Sequence, residues 1–166
     1  MTFYRRNLPH LQRDNKFHFI TFCTYLRWVL PPAARAIVLD SCVHDHGTRY
    51  ELELCVVMPD HVHLICVPLV DELGRCVHPL AEIMQAIKSA SAHRINRALQ
   101  RCGKIWQTES FDHVLRCAEE INAKIAYVRE NPVRAGIVAQ PEEYSWIWLN
   151  PSPHRYSPQA RAPAAT

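Results

Sequence analysis

The stretch Tyr50 to Val67, Y-E-L-E-L-C-V-V-M-P-D-H-V-H-L-I-C-V, decides the architecture. Tyr50, Leu52, Leu54 and Val56 alternate with Glu51 and Glu53, the period-two pattern of a half-exposed strand. Pro59 and Asp60 supply a tight turn, and His61 to Val67 returns as a second strand. Working outward, Lys16 to Tyr25 is aromatic and β-branched at both alternating sets of positions, as in a strand buried on both faces. Pro31 and Pro32 open a helix that carries Ile37, Val38, Leu39 and Val43 and closes near Gly47. Beyond the hairpin and a loop with Gly74 and Pro79, a long helix runs from about Leu80 to Gln100, ended by Gly103. Ile105 to Val114 is a weaker strand, and Ala118 to Glu130 a second long helix stopped at Asn131-Pro132.

The order β-α-β-β-α-β followed by another helix is the split βαβ, ferredoxin-like α+β arrangement. It predicts a central antiparallel sheet with helices on one face, plus a C-terminal helix, and it puts His61 to Val67 in the middle of the sheet. A chain of 166 residues, 48% apolar, fits one domain with an ordinary core, spanning 1–149. Residues 150–166 hold Pro151, Pro153, Pro158 and Pro163 with Arg155 and Arg161 and read as a disordered basic tail. No apolar run approaches the ~18 residues of a membrane span, and the polar, basic start has no signal core, so a cytosolic protein with no membrane partner is expected. The 7 Cys are odd in number and without C-x-x-C spacing; Cys23, Cys55 and Cys66 sit in apolar runs and read as small buried hydrophobes.

Charge is unevenly placed. Lys and Arg total 19 against 16 Asp and Glu, but residues 1–30 hold Arg5, Arg6, Arg13, Lys16 and Arg27 against Asp14 alone. From Ile83 to Thr108, Lys88, Arg94, Arg97, Arg101 and Lys104 stand with no acid. Two such blocks in one small domain point to a polyanion such as nucleic acid. Arg94, Arg97, Arg101 and Lys104 cluster on one side of the helical wheel, whereas Met84, Ile87, Ser91, Ile95, Ala98 and Leu99 form the apolar stripe. Lys88 falls inside that stripe, where it either snorkels or reaches a phosphate. Trp106 and Phe111 follow, as core aromatics or as platforms for unpaired bases.

Two motifs carry chemistry. In M-P-D-H-V-H, Met58 to His63, strand geometry puts His61 and His63 on one face and Val62 and Leu64 on the other, so two imidazoles make half of a divalent-metal site or a hydrogen-bonded buried pair. In Y-V-R-E-N-P-V-R-A-G, Tyr127 to Gly136, Tyr127 and Asn131 are one helical turn apart. An amide oxygen suits a hard cation as a third ligand, although Asn131 also fits a cap on a short helix begun by Pro132, and Tyr127 a core position beside Ile121, Ile125 and Val128.

Taken in order, M-P-D-H-V-H-L-I (Met58 to Ile65), M-Q-A-I-K-S-A (Met84 to Ala90), W-Q-T-E-S-F-D-H-V-L-R (Trp106 to Arg116), Y-V-R-E-N-P-V-R-A-G-I-V (Tyr127 to Val138) and P-E-E-Y-S-W (Pro141 to Trp146) resemble the single-tyrosine HUH transposases, and within them the REP-associated tyrosine transposases, an IS200-like group. The resemblance implies a metal-dependent endonuclease and strand transferase that binds single-stranded or hairpin DNA and cuts beside the hairpin. A tyrosine hydroxyl makes a 5′-phosphotyrosine link, and the ends can be rejoined.

By this resemblance Tyr127 is the nucleophile, the catalytic residue of the C-terminal helix, and His61, His63 and Asn131 hold Mg²⁺ or Mn²⁺. The matching position is often Gln in the insertion-sequence branch. Lys88, Arg94, Arg97, Arg101, Lys104 and Trp106 are the expected DNA contacts. Family members are monomers or homodimers. The contrasting expectation is a non-catalytic DNA-binding regulator derived from a transposase; a zinc hydrolase ranks behind both, since no third His or Cys stands at ligand spacing.

Overall fold

The computed structural model describes residues 16–71, 73 and 75–152. Strand β1 (Phe17–Thr24) leads through a short 3-10 turn (Tyr25–Arg27) to helix α1 (Pro32–Val43). The hairpin β2 (Tyr50–Val57) and β3 (His61–Pro68) follows, then α2 (Leu80–Ala98) and β4 (Trp106–Leu115). The chain continues with α3 (Ala118–Arg129), the single turn α4 (Asn131–Arg134), a second 3-10 turn (Pro141–Glu143) and β5 (Ile147–Leu149). The sheet runs β4-β1-β3-β2-β5 with every pairing antiparallel. This is the expected α+β order with β3 central; β5, a three-residue strand added outside β2, was not foreseen.

Helices α1 and α2 cover one face of the sheet, where Ala34, Val38, Ile83, Ile87 and Ile95 share a core with Ile20, Phe22, Val62 and Leu64. Helix α3 covers the opposite face, setting Ile121 and Val128 with Phe17, Phe19, Val56 and Ile65. Burial from both sides is why β1 reads as a continuous apolar run. Among the described residues no helix is long and apolar enough to cross a membrane. Cys55 and Cys66 are buried as expected, Cys23 half-buried, and all seven thiols are free.

Strand β2 departs from simple alternation. Leu52 pairs with Cys66 but Leu54 with Ile65, so Glu53 is an extra residue at a bulge. The bulge swaps the faces. Tyr50 and Leu52 share the α1/α2 core with Cys55 and Val57, whereas Leu54 and Val56 belong to the core under α3. Glu53, expected on the exposed face, is 3% exposed; its main-chain oxygen accepts from Asn150 N at 3.0 Å and its carboxylate from Asn150 Nδ2 at 3.4 Å. Asn150 is therefore buried against the sheet rather than the start of the tail. The rest of that proposed tail from 153 on, and the basic segment 1–15, lie outside the described residues.

Helix α2 ends at Ala98, two residues before the expected limit. Gln100, not Gly103, takes the left-handed conformation that reverses the chain, with φ 50°, and Arg101 N returns to Asn96 O at 2.9 Å. Gly103, with φ 98°, serves the following turn into β4.

Candidate active site

The pleat of β3 sends Val62 and Leu64 into the α1/α2 core and leaves His61 and His63 on the α3 side. Their rings stand edge to face with centroids 4.8 Å apart. Each Nδ1 is engaged. His61 Nδ1 lies 2.6 Å from Asp60 Oδ1, and His63 Nδ1 lies 2.8 Å from the hydroxyl of Thr21, its register partner on β1. Phe19 stacks on His63 at 5.5 Å. Burial foremost, then the neighbouring His61, Lys124 and Arg134, pushes the His63 pKa down to about 3. At neutral pH it is a neutral imidazole, the form that ligates metals.

Tyr127 reaches the same cleft from α3. Ile121 and Val128 take the core side of that helix, and Tyr127 is 54% exposed, so it is not a core residue. The cleft, of about 610 Å³, is lined by Phe19, His61, His63, Tyr127, Asn131 and Arg134 among others, all from one chain. Lys124 Nζ sits 4.6 Å from the Phe19 ring and 5.4 Å from that of Tyr127. Two cations at an open cleft make it a site for an anion.

The helix break at Asn131-Pro132 turns the chain into α4 with Pro132 buried. Asn131 does not cap: its position is the first of α4, and no side-chain cap bond is made at that helix start. Its Oδ1 instead accepts from Arg134 Nη2, which also donates to the Tyr127 carbonyl oxygen at 2.7 Å. Among the described residues no group of three or more His, Cys, Asp or Glu is arranged to hold a metal ion. The available donors are two imidazole nitrogens and one amide oxygen. With Nδ1 of both rings engaged, Nε2 remains on each, and a donor set of two imidazole nitrogens and one amide oxygen fits a divalent cation.

The expected DNA contacts divide. Trp106 is 7% exposed, set edge to face on Phe22 at 4.9 Å, with Nε1–H donating to Ser91 Oγ at 3.0 Å. It is a core residue and has no free face for a base. Lys88 donates to the carbonyl oxygens of Gln107, Thr108 and Glu109 at 3.0, 3.2 and 3.2 Å, so it serves β4 rather than a phosphate. Arg94 pairs with Asp40 at 2.7 Å, Arg101 lies 3.9 Å over the Trp28 ring and Lys104 5.6 Å over Tyr25. Arg97 is exposed on α2. Phe111 is 60% exposed and lines the cleft. Thr21, Asp60, Lys124 and Arg134 also stand at the site without a sequence signal that marks them for it: the pattern marks Asp60 only as a turn residue, and Arg134 is one cation inside the N-P-V-R-A-G stretch.

The family model "Transposase IS200 like" matches residues 12–130. Among solved structures, the chain is similar to a REP-associated tyrosine transposase bound to a REP hairpin, with 20% identity over 89% of this chain and 82% of that one and a TM-score of 0.66. A crystallised Deinococcus radiodurans protein assigned as a transposase shows 22% identity over 78% of this chain and 97% of its own, with a TM-score of 0.47. No curated protein matches the chain.

Proposed function

The chain belongs to the IS200-like transposase family, and from that premise we propose that it cuts and rejoins single-stranded DNA beside a hairpin, with the Tyr127 hydroxyl as nucleophile. The observation that carries this reading is that Tyr127 and both imidazoles of His61 and His63 line one cleft. The Tyr127 oxygen attacks a backbone phosphorus; the new P–O bond forms as the bond to the 3′ oxygen breaks. The phenol gives up its proton and the departing 3′ oxygen gains one, leaving a 5′-phosphotyrosine and a 3′-hydroxyl. Attack by a 3′-hydroxyl on that link restores a phosphodiester, so rejoining needs no nucleotide hydrolysis.

A phenol of ordinary pKa about 10 is mostly protonated at neutral pH, so charge on phosphorus must be stabilised. Lys124 and Arg134 supply fixed positive charge at the cleft, and Phe111 offers an exposed ring to an unpaired base. His61, His63 and Asn131 would hold Mg²⁺ or Mn²⁺, which when bound polarises a non-bridging phosphate oxygen as a Lewis acid.

The test is a hairpin-bearing single-stranded oligonucleotide incubated with Mn²⁺. The expected product is a covalent protein–DNA adduct that survives denaturation, absent with Tyr127→Phe although that variant still binds. Binding that ignores EDTA, with no scission, would instead support a non-catalytic regulator.

A further inference from the structure

Asp60 has every acceptor oxygen in use. Its Oδ1 takes the proton of His61 Nδ1 at 2.6 Å, and its Oδ2 that of Arg27 Nη1 at 3.3 Å. Its main-chain oxygen accepts from Thr24 N at 2.9 Å and Thr24 Oγ1 at 3.0 Å. Leu30 N donates to Pro59 O at 2.7 Å, so the turn before β3 is fastened to the segment between β1 and α1. These three bonds fasten the turn through its main-chain oxygens, with no part taken by the carboxylate. The carboxylate is left for another task.

The segment it is fastened to is strained. Leu26 and Arg27 lie at φ 53° and 56°, consecutive left-handed residues without a glycine. Leu26 is 81% exposed and adds nothing to the core. What the distorted turn does deliver is the Arg27 guanidinium to Asp60.

A carboxylate accepts and cannot donate, so the short bond from His61 fixes the proton on Nδ1 and leaves the Nε2 lone pair for the cleft. The Thr21 hydroxyl beside His63 can donate or accept, and imposes no such choice. We propose that Asp60 is a positioning residue that sets the tautomer and ring orientation of His61 for metal binding, and that the strained turn exists to hold Arg27 against Asp60. The metal-binding part rests on the reading of His61 as a ligand given above; the tautomer part does not.

The experiment compares wild type, Asp60→Ala, Asp60→Asn and Arg27→Ala, with matched thermal melts to show that each folds. Imidazole ¹⁵N shifts of the metal-free full chain are recorded at about pH 8, where an ordinary imidazole is neutral. Mn²⁺ affinity is measured by calorimetry without DNA. Wild type is expected to carry its His61 proton on Nδ1. Asp60→Ala moves that proton toward Nε2 and weakens Mn²⁺ by about 10- to 100-fold. Asp60→Asn, which keeps an acceptor oxygen, retains the tautomer and most of the affinity, and Arg27→Ala shifts both readouts in the direction of Asp60→Ala by less.

An unchanged tautomer in Asp60→Ala overturns the role of Asp60, and unchanged readouts in Arg27→Ala remove Arg27 from it. Wild type that binds Mn²⁺ but forms no DNA adduct would sink strand transfer and leave the positioning role standing on the tautomer.

Discussion

Arg134 places its guanidinium 3.8 Å above the ring of Tyr127 while one of its nitrogens donates both to the Tyr127 carbonyl oxygen and to the side-chain oxygen of Asn131. One side chain thereby holds the proposed nucleophile and the proposed third ligand in register. It can do so because α4 follows α3 after the single residue Glu130, with Arg134 N bonded to Glu130 O at 2.9 Å, one turn beyond the end of α3.

Removing that brace should uncouple the two residues. Arg134→Ala is expected to slow adduct formation about 100-fold, the scale on which small displacements of reacting groups act, with a smaller loss of DNA affinity. Arg134→Lys keeps the charge but not the planar fork or the ring stacking, and should restore little. Single-turnover adduct formation with saturating hairpin DNA measures both. Full rescue by lysine would reduce the role of Arg134 to charge alone.

Lys88 gives a prediction of the opposite kind. Phe22 of β1 pairs with Ser110 and Thr24 with Trp106, so residues 107–109 of β4 bulge out opposite Cys23. The ammonium of Lys88 gathers the three carbonyls there, partly buried, with its pKa lowered chiefly by desolvation. Lys88→Met should cost about 1–3 kcal/mol of stability by stranding those acceptors, read as a lower Tm. The slope of log affinity against log salt should stay unchanged. Arg97→Gln, on the exposed side of α2, should reduce that slope by about 1 and leave Tm almost unmoved.

The two aromatics on β4 separate in the same way. Trp106→Ala opens the core under α2 and should destabilise by about 3–5 kcal/mol. Phe111→Ala should leave the melting curve in place and weaken single-stranded DNA by about 1–3 kcal/mol if its ring carries a base. Chemical denaturation and fluorescence anisotropy on the same preparations distinguish the cases. A strong loss of stability in Phe111→Ala would place that ring among the structural residues.

Which parts of this were legible follows from what sequence periodicity encodes. Two residues apart on a strand share a face, so His61 and His63 could be paired from spacing alone, and Tyr127 and Asn131 likewise by the helical repeat. A bulge has no residue signature of its own; the alternation through Glu53 therefore predicted the wrong face for Leu54 and Val56. For Lys88 and Trp106 the sequence leaves two readings open, because the partners that bear on the choice, the bulged carbonyls and Ser91, are brought near only by the packing of α2 on the sheet. Thr21 meets His63 through the β1–β3 register, which local pattern does not fix. Strand β5 is three residues long, too short for any period to show.

His63 ties stability to pH in a definite direction. In the folded protein its imidazole stays neutral down to about pH 3, whereas in the unfolded chain it takes a proton at its ordinary 6.5. Between those values the unfolded state binds more protons, so acidification favours unfolding. The stabilisation is fully present above pH 6.5 and is lost toward pH 3, by up to about 1.4 kcal/mol per unit. Carboxylates titrate over part of the same range, so the informative quantity is a difference. His63→Gln leaves no imidazole to protonate, and the fall in stability between about pH 7 and about pH 5 should be shallower in that variant than in wild type. Urea unfolding of both proteins at the two pH values measures it; parallel curves would mean that His63 is as easily protonated in the folded cleft as in the open chain, and that the burial and the cations Lys124 and Arg134 around it do not keep it in the metal-binding form.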